Sequence, residues 1–215
     1  MPKTKPFDEN YKKYEEWFDR NKYVYQTELE LIKHVIPENG NGIEIGIGSG
    51  LFAKPIGIEI GIEPSIEMSK LAKKRELKVY RGVGENVPFK DNSFDFALMV
   101  TTVCFLDDAE KSLLEVERIL KSKGSFIIGF VDKESPLGNI YLKFKYENIF
   151  YRIATFYSTI EVISLLKKTG FIIDKVYQTV FGNLDDIKNV QNYKDGFGEG
   201  GFVAVSYTHL TLPTN

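Results

Sequence analysis

The residues best placed to do chemistry lie in one glycine-rich run and at three points downstream of it. Residues 44–50 read Glu-Ile-Gly-Ile-Gly-Ser-Gly, directly after an apolar run. Glycines there let the chain turn sharply and let a ligand approach bare backbone. The spacing is G-x-G-x-G, not the G-x-G-x-x-G that cradles a pyrophosphate. With Glu44 two residues ahead of the first glycine, it suits a ligand that carries an ammonium and a carboxylate. A glycine turn with no ligand is the plainer alternative. Glu63 ends a second apolar run 17 residues after Gly46, where one carboxylate can accept from both hydroxyls of a ribose. The same Glu63-Pro64-Ser65 also reads as a helix start, and the two readings are compatible. A third piece, residues 82–95, follows a third run; the backbone N–H of Gly84 or Glu85 there could read a ring nitrogen. Thr101-Thr102 closes a fourth run.

These positions need a frame. Apolar runs at 43–47, 56–62, Lys78–Tyr80, Phe94–Val100 and 126–131 alternate with amphipathic stretches at 65–75 and 109–120. Strand–helix alternation with wholly apolar strands predicts a parallel sheet covered on both faces. A helix over 158–168, a strand over 171–177 and a last strand over 202–205 allow an antiparallel edge. Upstream, Phe7, Tyr11, Tyr14, Trp17 and Phe18, then Tyr25, Leu29, Ile32 and Ile36, give residues 7–36 a helical period that Pro37 ends. Residues 137–157 are aromatic-rich and interrupt the alternation. Gly-Ile-Glu-Ile-Gly-Ile occurs at 42–47 and again at 57–62, the shared vocabulary of two adjacent buried strands.

In this order, GIEIGIGSG, GIEPSIEMSKLAKKR, GENVPFKDNSFDFALMVTT and EVERILKSKGSFII, spanning about residues 42–131, resemble the class I S-adenosylmethionine-dependent methyltransferases, in the branch called methyltransferase type 11. FYSTIEVISLLKKTGF at 156–171 is similar to the family's late helix and strand, and YEEWF to its helical lid. The resemblance implies an α/β, Rossmann-like methyltransferase fold. That fold has a mostly parallel central sheet of about seven strands with an antiparallel edge strand, helices on both faces and an N-terminal helical lid. It implies S-adenosyl-L-methionine as cofactor. Gly46, Gly48 and the Ile47 backbone would face its methionine part, and Glu44 would orient the amino group. Glu63 would hold the ribose, and Pro64 and Met68 would pack on the adenine. Gly84, Glu85 and Asn86 would border the adenine, and the Thr101 carbonyl would approach the methionine amine. Three departures stand out. Val83 sits where members often carry an aspartate that reads the adenine amine. Only residues 51–55 separate Gly50 from the second run, too few for an ordinary crossover helix. Cys104 and Phe105 stand where many relatives carry two histidines.

The implied reaction is methyl transfer to a small-molecule acceptor, with residues 137–157 as the acceptor's cover. A base, where the acceptor needs one, would come from Tyr14, Tyr25, Asp107, Asp132 or Glu134. Core packing is the alternative for the tyrosines, and helix capping for Asp107-Asp108. His34 reads as a histidine at a helix end, and Cys104 as a small buried hydrophobe. A non-catalytic module that binds S-adenosylmethionine or S-adenosylhomocysteine is the second reading, and an NAD-dependent dehydrogenase is disfavoured by the glycine spacing. The 215 residues are 43% hydrophobic and 27% charged, with net charge −2, which suits one soluble domain and argues against a nucleic-acid or anionic-membrane surface. One cysteine and two histidines, His34 and His209, exclude a His/Cys metal centre. No signal peptide or membrane span is read. The expectation is a cytoplasmic monomer or homodimer of one domain, 1–204. Residues 205–215, VSYTHLTLPTN, match one reading frame of a sequencing-library transposon adapter and are expected not to belong to this gene.

Overall fold

The computed structural model describes residues 2–209. The chain opens with α1 (Lys5–Arg20) and α2 (Lys22–Val35), then alternates β1 (Gly42–Ile45), α3 (Ala53–Ile56), β2 (Ile60–Ile62), α4 (Ile66–Lys74), β3 (Lys78–Tyr80), β4 (Phe94–Val100), α5 (Ala109–Ile119) and β5 (Leu120–Val131). It closes with α6 (Pro136–Lys143), α7 (Thr159–Lys168), β6 (Phe171–Thr179), β7 (Lys194–Asp195) and β8 (Phe202–His209). The strands form one sheet in the order β3-β2-β1-β4-β5-β8-β6-β7. Pairing is parallel from β3 to β5 and antiparallel from β5 to β7. The sheet has eight strands rather than about seven, because Lys194–Asp195 pairs with the end of β6 as a two-residue edge.

The strand order explains where a ligand must go. From β1 the chain steps outward to β2 and β3, then returns to place β4 on the other side of β1. Ligands of such sheets bind outside the carboxyl ends of the strands at that switch point. The glycine turn after β1 and Thr101-Thr102 after β4 meet there.

Period-two alternation sorts the strands' side chains between two cores. Ile43, Ile45 and Ile62 pack on one face with Leu113 and Val116 of α5 and Val162 and Leu166 of α7. Ile47, Leu98 and Ile127 pack on the other with Leu31 and Ile32 of α2, Ala53 of α3 and Ala72 of α4. The expected run 56–62 is strand only from Ile60. Its start is the end of α3, a single turn stopped by Gly57 at φ +81°. The short crossover is thus met by four helical residues.

The last strand runs past residue 204. Val205 pairs with Ile128 and Val176, and Tyr207 with Phe126 and Ile173; both side chains are buried. The remainder of the expected adapter-derived stretch, 210–215, lies outside the described residues. Tyr207 packs its ring near Phe126 and Phe171, yet its hydroxyl is buried with no hydrogen-bond partner. Leaving such a group unmade costs ~1–3 kcal/mol. Tyr207→Phe keeps the ring and removes that cost, so it is expected to raise the thermal midpoint by several degrees. A calorimetric scan showing a lower midpoint would mean that the hydroxyl is satisfied.

Candidate functional site

The glycine turn is shaped by backbone that side chains do not tolerate. Gly46 has φ +71° and Gly48 φ +56°. A Cβ on Gly46 would stand 2.5 Å from Thr102 Oγ1, whereas one on Gly48 would meet only Met68 Cε at 3.6 Å and the Tyr14 hydroxyl at 3.8 Å. Gly46 is therefore closed in by β4's end, whereas Gly48 has room for a methyl group. Thr101 sits across from them at φ +49°, a left-handed conformation that strains a β-branched residue by ~1–3 kcal/mol and is found mostly at functional sites.

Glu63 ties this turn to the start of α4. One carboxylate oxygen accepts from Gly48 N at 2.9 Å, the other from Ser65 N at 2.8 Å. Burial pushes its carboxyl up to about 7, against the pull of those two N–H groups. A carboxylate offers about four acceptor directions, so two backbone bonds leave room for two hydroxyls.

Gly46, Gly48, Glu63, Pro64, Met68, Gly84, Glu85 and Thr101 line one cavity, together with Val83, Thr102 and, from the N-terminal segment, Phe7 and Tyr14. Eight of the eleven expected site residues are brought together. Glu44, Ile47 and Asn86 are not among its walls. Glu44 and Ile47 share the face of β1 turned toward α2 and α3: the Ile47 side chain fills the space over Gly61, and Glu44 is buried behind the turn. Burial raises the Glu44 carboxyl well above the usual range, a bond from the Ala53 N–H works the other way, and the nearby Glu63 raises it further. Its Oε2 has no partner. Asn86 is exposed because the tight bridge Val83–Asn86 turns it out of the pocket. Glu85 uses Oε1 to accept the N–H groups of Asp107 and Asp108 at 2.8 and 3.1 Å, so it also clamps the loop after β4.

Helix α1 closes over this cavity as the expected lid. Asp8 accepts from Ser65 Oγ at 2.7 Å and from Glu67 N at 3.2 Å. Glu15 pairs with Arg75, whose Nη1 donates to Ser49 O at 3.0 Å. Asp8→Ala removes a link between lid and α4 and one of that helix's N-terminal acceptors. It is expected to cost ~1 kcal/mol and to speed amide exchange across residues 5–20 while the sheet stays protected. Unchanged exchange there would show the lid is held by its aromatic contacts instead.

A second cavity of about 330 Å³ lies beneath the lid and residues 147–157, walled by Trp17, Phe18, Phe52, Phe130, Tyr141, Phe150, Tyr151, Phe156 and Tyr157. Phe7, Tyr14, Thr101 and Phe105 line both cavities. From the aromatic insert, Tyr141, Phe150, Tyr151, Phe156 and Tyr157 stand among the second cavity's walls. Of the candidate bases, only Tyr14 reaches this second space. Burial, with Glu44 and Glu63 nearby, raises its phenol far above the ordinary range. Tyr25 donates to Leu51 O at 2.5 Å and braces the turn. Asp132 is buried as a brace, accepting from Thr159 Oγ1 at 2.7 Å and Glu134 N at 2.9 Å. Glu134 is exposed, Asp107 lines the first cavity only, and Asp108 caps α5 through Lys111 N. Cys104 lines the second cavity with its thiol pushed up to about 12 by burial. His34, exposed in the last turn of α2, stacks on Tyr193 at 4.2 Å. Among the described residues no three His, Cys, Asp or Glu side chains gather to hold a metal ion, and no helix is long and apolar enough to cross a membrane.

A doubly wound sheet with a glycine turn after β1, an acid ending β2 and a strained threonine ending β4 gives a Rossmann-like fold with one cavity at its switch point. Comparison with known proteins narrows the class. Residues 43–128 match the sequence profile of the family described as "Methyltransferase domain". An uncharacterized protein of Methanocaldococcus jannaschii is 46% identical over 200 residues, 93% of this chain and 97% of its own. A crystal structure from Thermotoga maritima, described as a SAM-dependent methyltransferase, "possible histamine N-methyltransferase", is 46% identical with a TM-score of 0.93, over 95% of this chain and 98% of that one. A ubiquinone/menaquinone biosynthesis C-methyltransferase of Rickettsia bellii is 27% identical over 205 residues, 85% of this chain and 76% of its own. The chain belongs to the class I S-adenosylmethionine-dependent methyltransferases, whose cofactor is S-adenosyl-L-methionine.

Glu28 is the residue that sequence reasoning missed. It lines the second cavity from α2, buried to 6% exposure. The available signal was an acid within a helical stretch whose neighbours Thr27 and Leu29 are also buried; an amphipathic period gives no reason to single it out.

Proposed function

We propose that the chain transfers a methyl group from S-adenosylmethionine to a small-molecule acceptor seated in the aromatic cavity, by in-line displacement. The observation that carries this reading is the shared wall: residues Phe7, Tyr14, Thr101 and Phe105 border both cavities, so an acceptor in one faces the contents of the other. The residues present suit the cofactor. Gly48 leaves bare backbone toward the cavity, and Glu63 keeps acceptor capacity beyond its two backbone bonds. Gly46, Gly48 and the Ile47 backbone would hold the methionine part, with Glu44 supporting the turn from behind and the Thr101 carbonyl near the amine. Glu63 would hold the ribose, and Pro64, Met68, Gly84 and Glu85 the adenine. When bound, the cofactor supplies a methyl group on a positively charged sulfur.

The chain's own contribution is alignment and exclusion of water. Phe7, Tyr14 and Phe150 pack ring to ring over the junction. Neither the Tyr14 phenol nor the Cys104 thiol ionises near neutral pH, so neither takes the acceptor's proton. Tritium from methyl-labelled S-adenosylmethionine is expected to move into a small molecule of a metabolite extract. Tight S-adenosylhomocysteine binding without transfer would leave the non-catalytic binding module as the better account. The same reading takes the protein as cytoplasmic, a monomer or homodimer without nucleic-acid or membrane partners. It takes residues 205–215 as adapter-derived, which resequencing the locus tests.

A further inference from the structure

The second cavity contains a carboxyl group that the fold does not use. Glu28 stands in the middle of α2 with its carboxylate against aromatic walls, and among the described residues it has no hydrogen bond and no ion pair. Two of the cavity's phenols are otherwise engaged: Tyr141 and Tyr151 bond to each other. The cations that border this space, Lys13 and Arg20, are exposed on α1, and Arg20 Nε donates to Glu16 O at 3.3 Å. A buried carboxylate without a partner is costly to the fold. A neutral isostere would serve packing better, so the group's use lies in what enters the cavity. An anionic acceptor would be repelled, and a neutral one would gain little. A basic nitrogen would pair with the carboxylate in a low-dielectric space, with aromatic faces such as Trp17 and Phe52 adding cation–π attraction.

We propose that Glu28 is the acceptor-selecting residue and that the acceptor is an amine: a basic nitrogen held by Glu28, joined to an apolar or aromatic body that fills the rest of the cavity. This rests on the methyltransferase reading, and the test separates the two. Protein saturated with S-adenosylhomocysteine is titrated calorimetrically with two matched pairs, 2-phenylethylamine against 2-phenylethanol and tryptamine against tryptophol. The amine of at least one pair is expected to bind ten-fold or more tightly than its alcohol. In Glu28→Gln that preference falls to about one, with affinity for the alcohol and for S-adenosylhomocysteine within two-fold of the parent protein, which also reports an intact fold. Equal binding within both pairs, no binding by any of the four, or an amine preference that survives Glu28→Gln overturns the proposal while leaving the methyltransferase reading standing. Failure of the parent protein to bind S-adenosylhomocysteine overturns that reading itself.

Discussion

Gly46→Ala is expected to lower affinity for S-adenosylhomocysteine by about 100-fold or more and to destabilise the fold by ~2–4 kcal/mol. Two effects act on one atom. At φ +71° any side chain is strained, at a cost of ~1 kcal/mol. The added Cβ would also stand 2.5 Å from Thr102 Oγ1 and 3.0 Å from Thr102 Cβ, and β4 cannot retreat because Thr101 N is held to Gly129 O at 2.7 Å. The turn must therefore move, and overpacking of this kind costs a further ~1–3 kcal/mol. That movement shifts the backbone which is to hold the methionine part, and Gly48 N with it, so the bond to Glu63 loosens too. Gly48→Ala is the contrast. Its Cβ has room, so stability falls only by the strain of φ +56°, yet the methyl group projects between Met68 and Tyr14 into the cavity. It is expected to weaken binding with little loss of stability. Titration calorimetry with S-adenosylhomocysteine and thermal unfolding of both variants check the pair. A Gly46→Ala protein that binds within three-fold of the parent would place the cofactor elsewhere.

The first cavity was largely legible in the sequence because its parts are local. Each lies at the carboxyl end of a strand, and one sheet gathers all such ends at one edge. What spacing cannot carry is which way a residue faces once the chain has turned. Glu44 and Ile47 belong to the right loop, but the alternation of β1 aims Glu44 under the turn, and Ile47 is drawn into the space that Gly61 leaves. Asn86 is displaced by a two-residue bridge too small to announce itself. Asp132 stands at the correct edge of the sheet, yet Thr159, 27 residues later, captures its carboxylate, a pairing that no local pattern encodes. The second cavity was legible only as an aromatic-rich insert. Its walls come from α1, α2, Phe52, the loop after β4, the end of β5 and residues 141–157, and Glu28 acquires meaning only when those segments close around it.

The buried carboxyls make stability depend on pH in a defined direction. Burial pushes Glu28 up to about 8 and Glu63 up to about 7, from an ordinary 4.5, and raises Glu44 as well. Below pH 4.5 these groups are protonated in both folded and unfolded chains and cost nothing. As pH rises past 4.5 the unfolded chain releases their protons while the folded chain keeps them. The folded state then binds more protons, so stability falls with pH, and Glu28's share of the loss is complete only above about 8. At ~1.4 kcal/mol per pH unit, that share is on the order of 5 kcal/mol. The Tyr14, Tyr25, Tyr141 and Tyr151 phenols, all raised by burial, stay neutral through this range and do not mask it. Glu28→Gln should therefore match the ligand-free parent near pH 5 and exceed its melting midpoint by on the order of 10 °C at pH 8.5. Melting curves at half-unit pH steps read the difference directly. A gap that stays constant with pH would mean that Glu28 is ionised throughout and already neutralised by a cation. A gap that closes when 2-phenylethylamine is added would show the carboxylate paired with the amine.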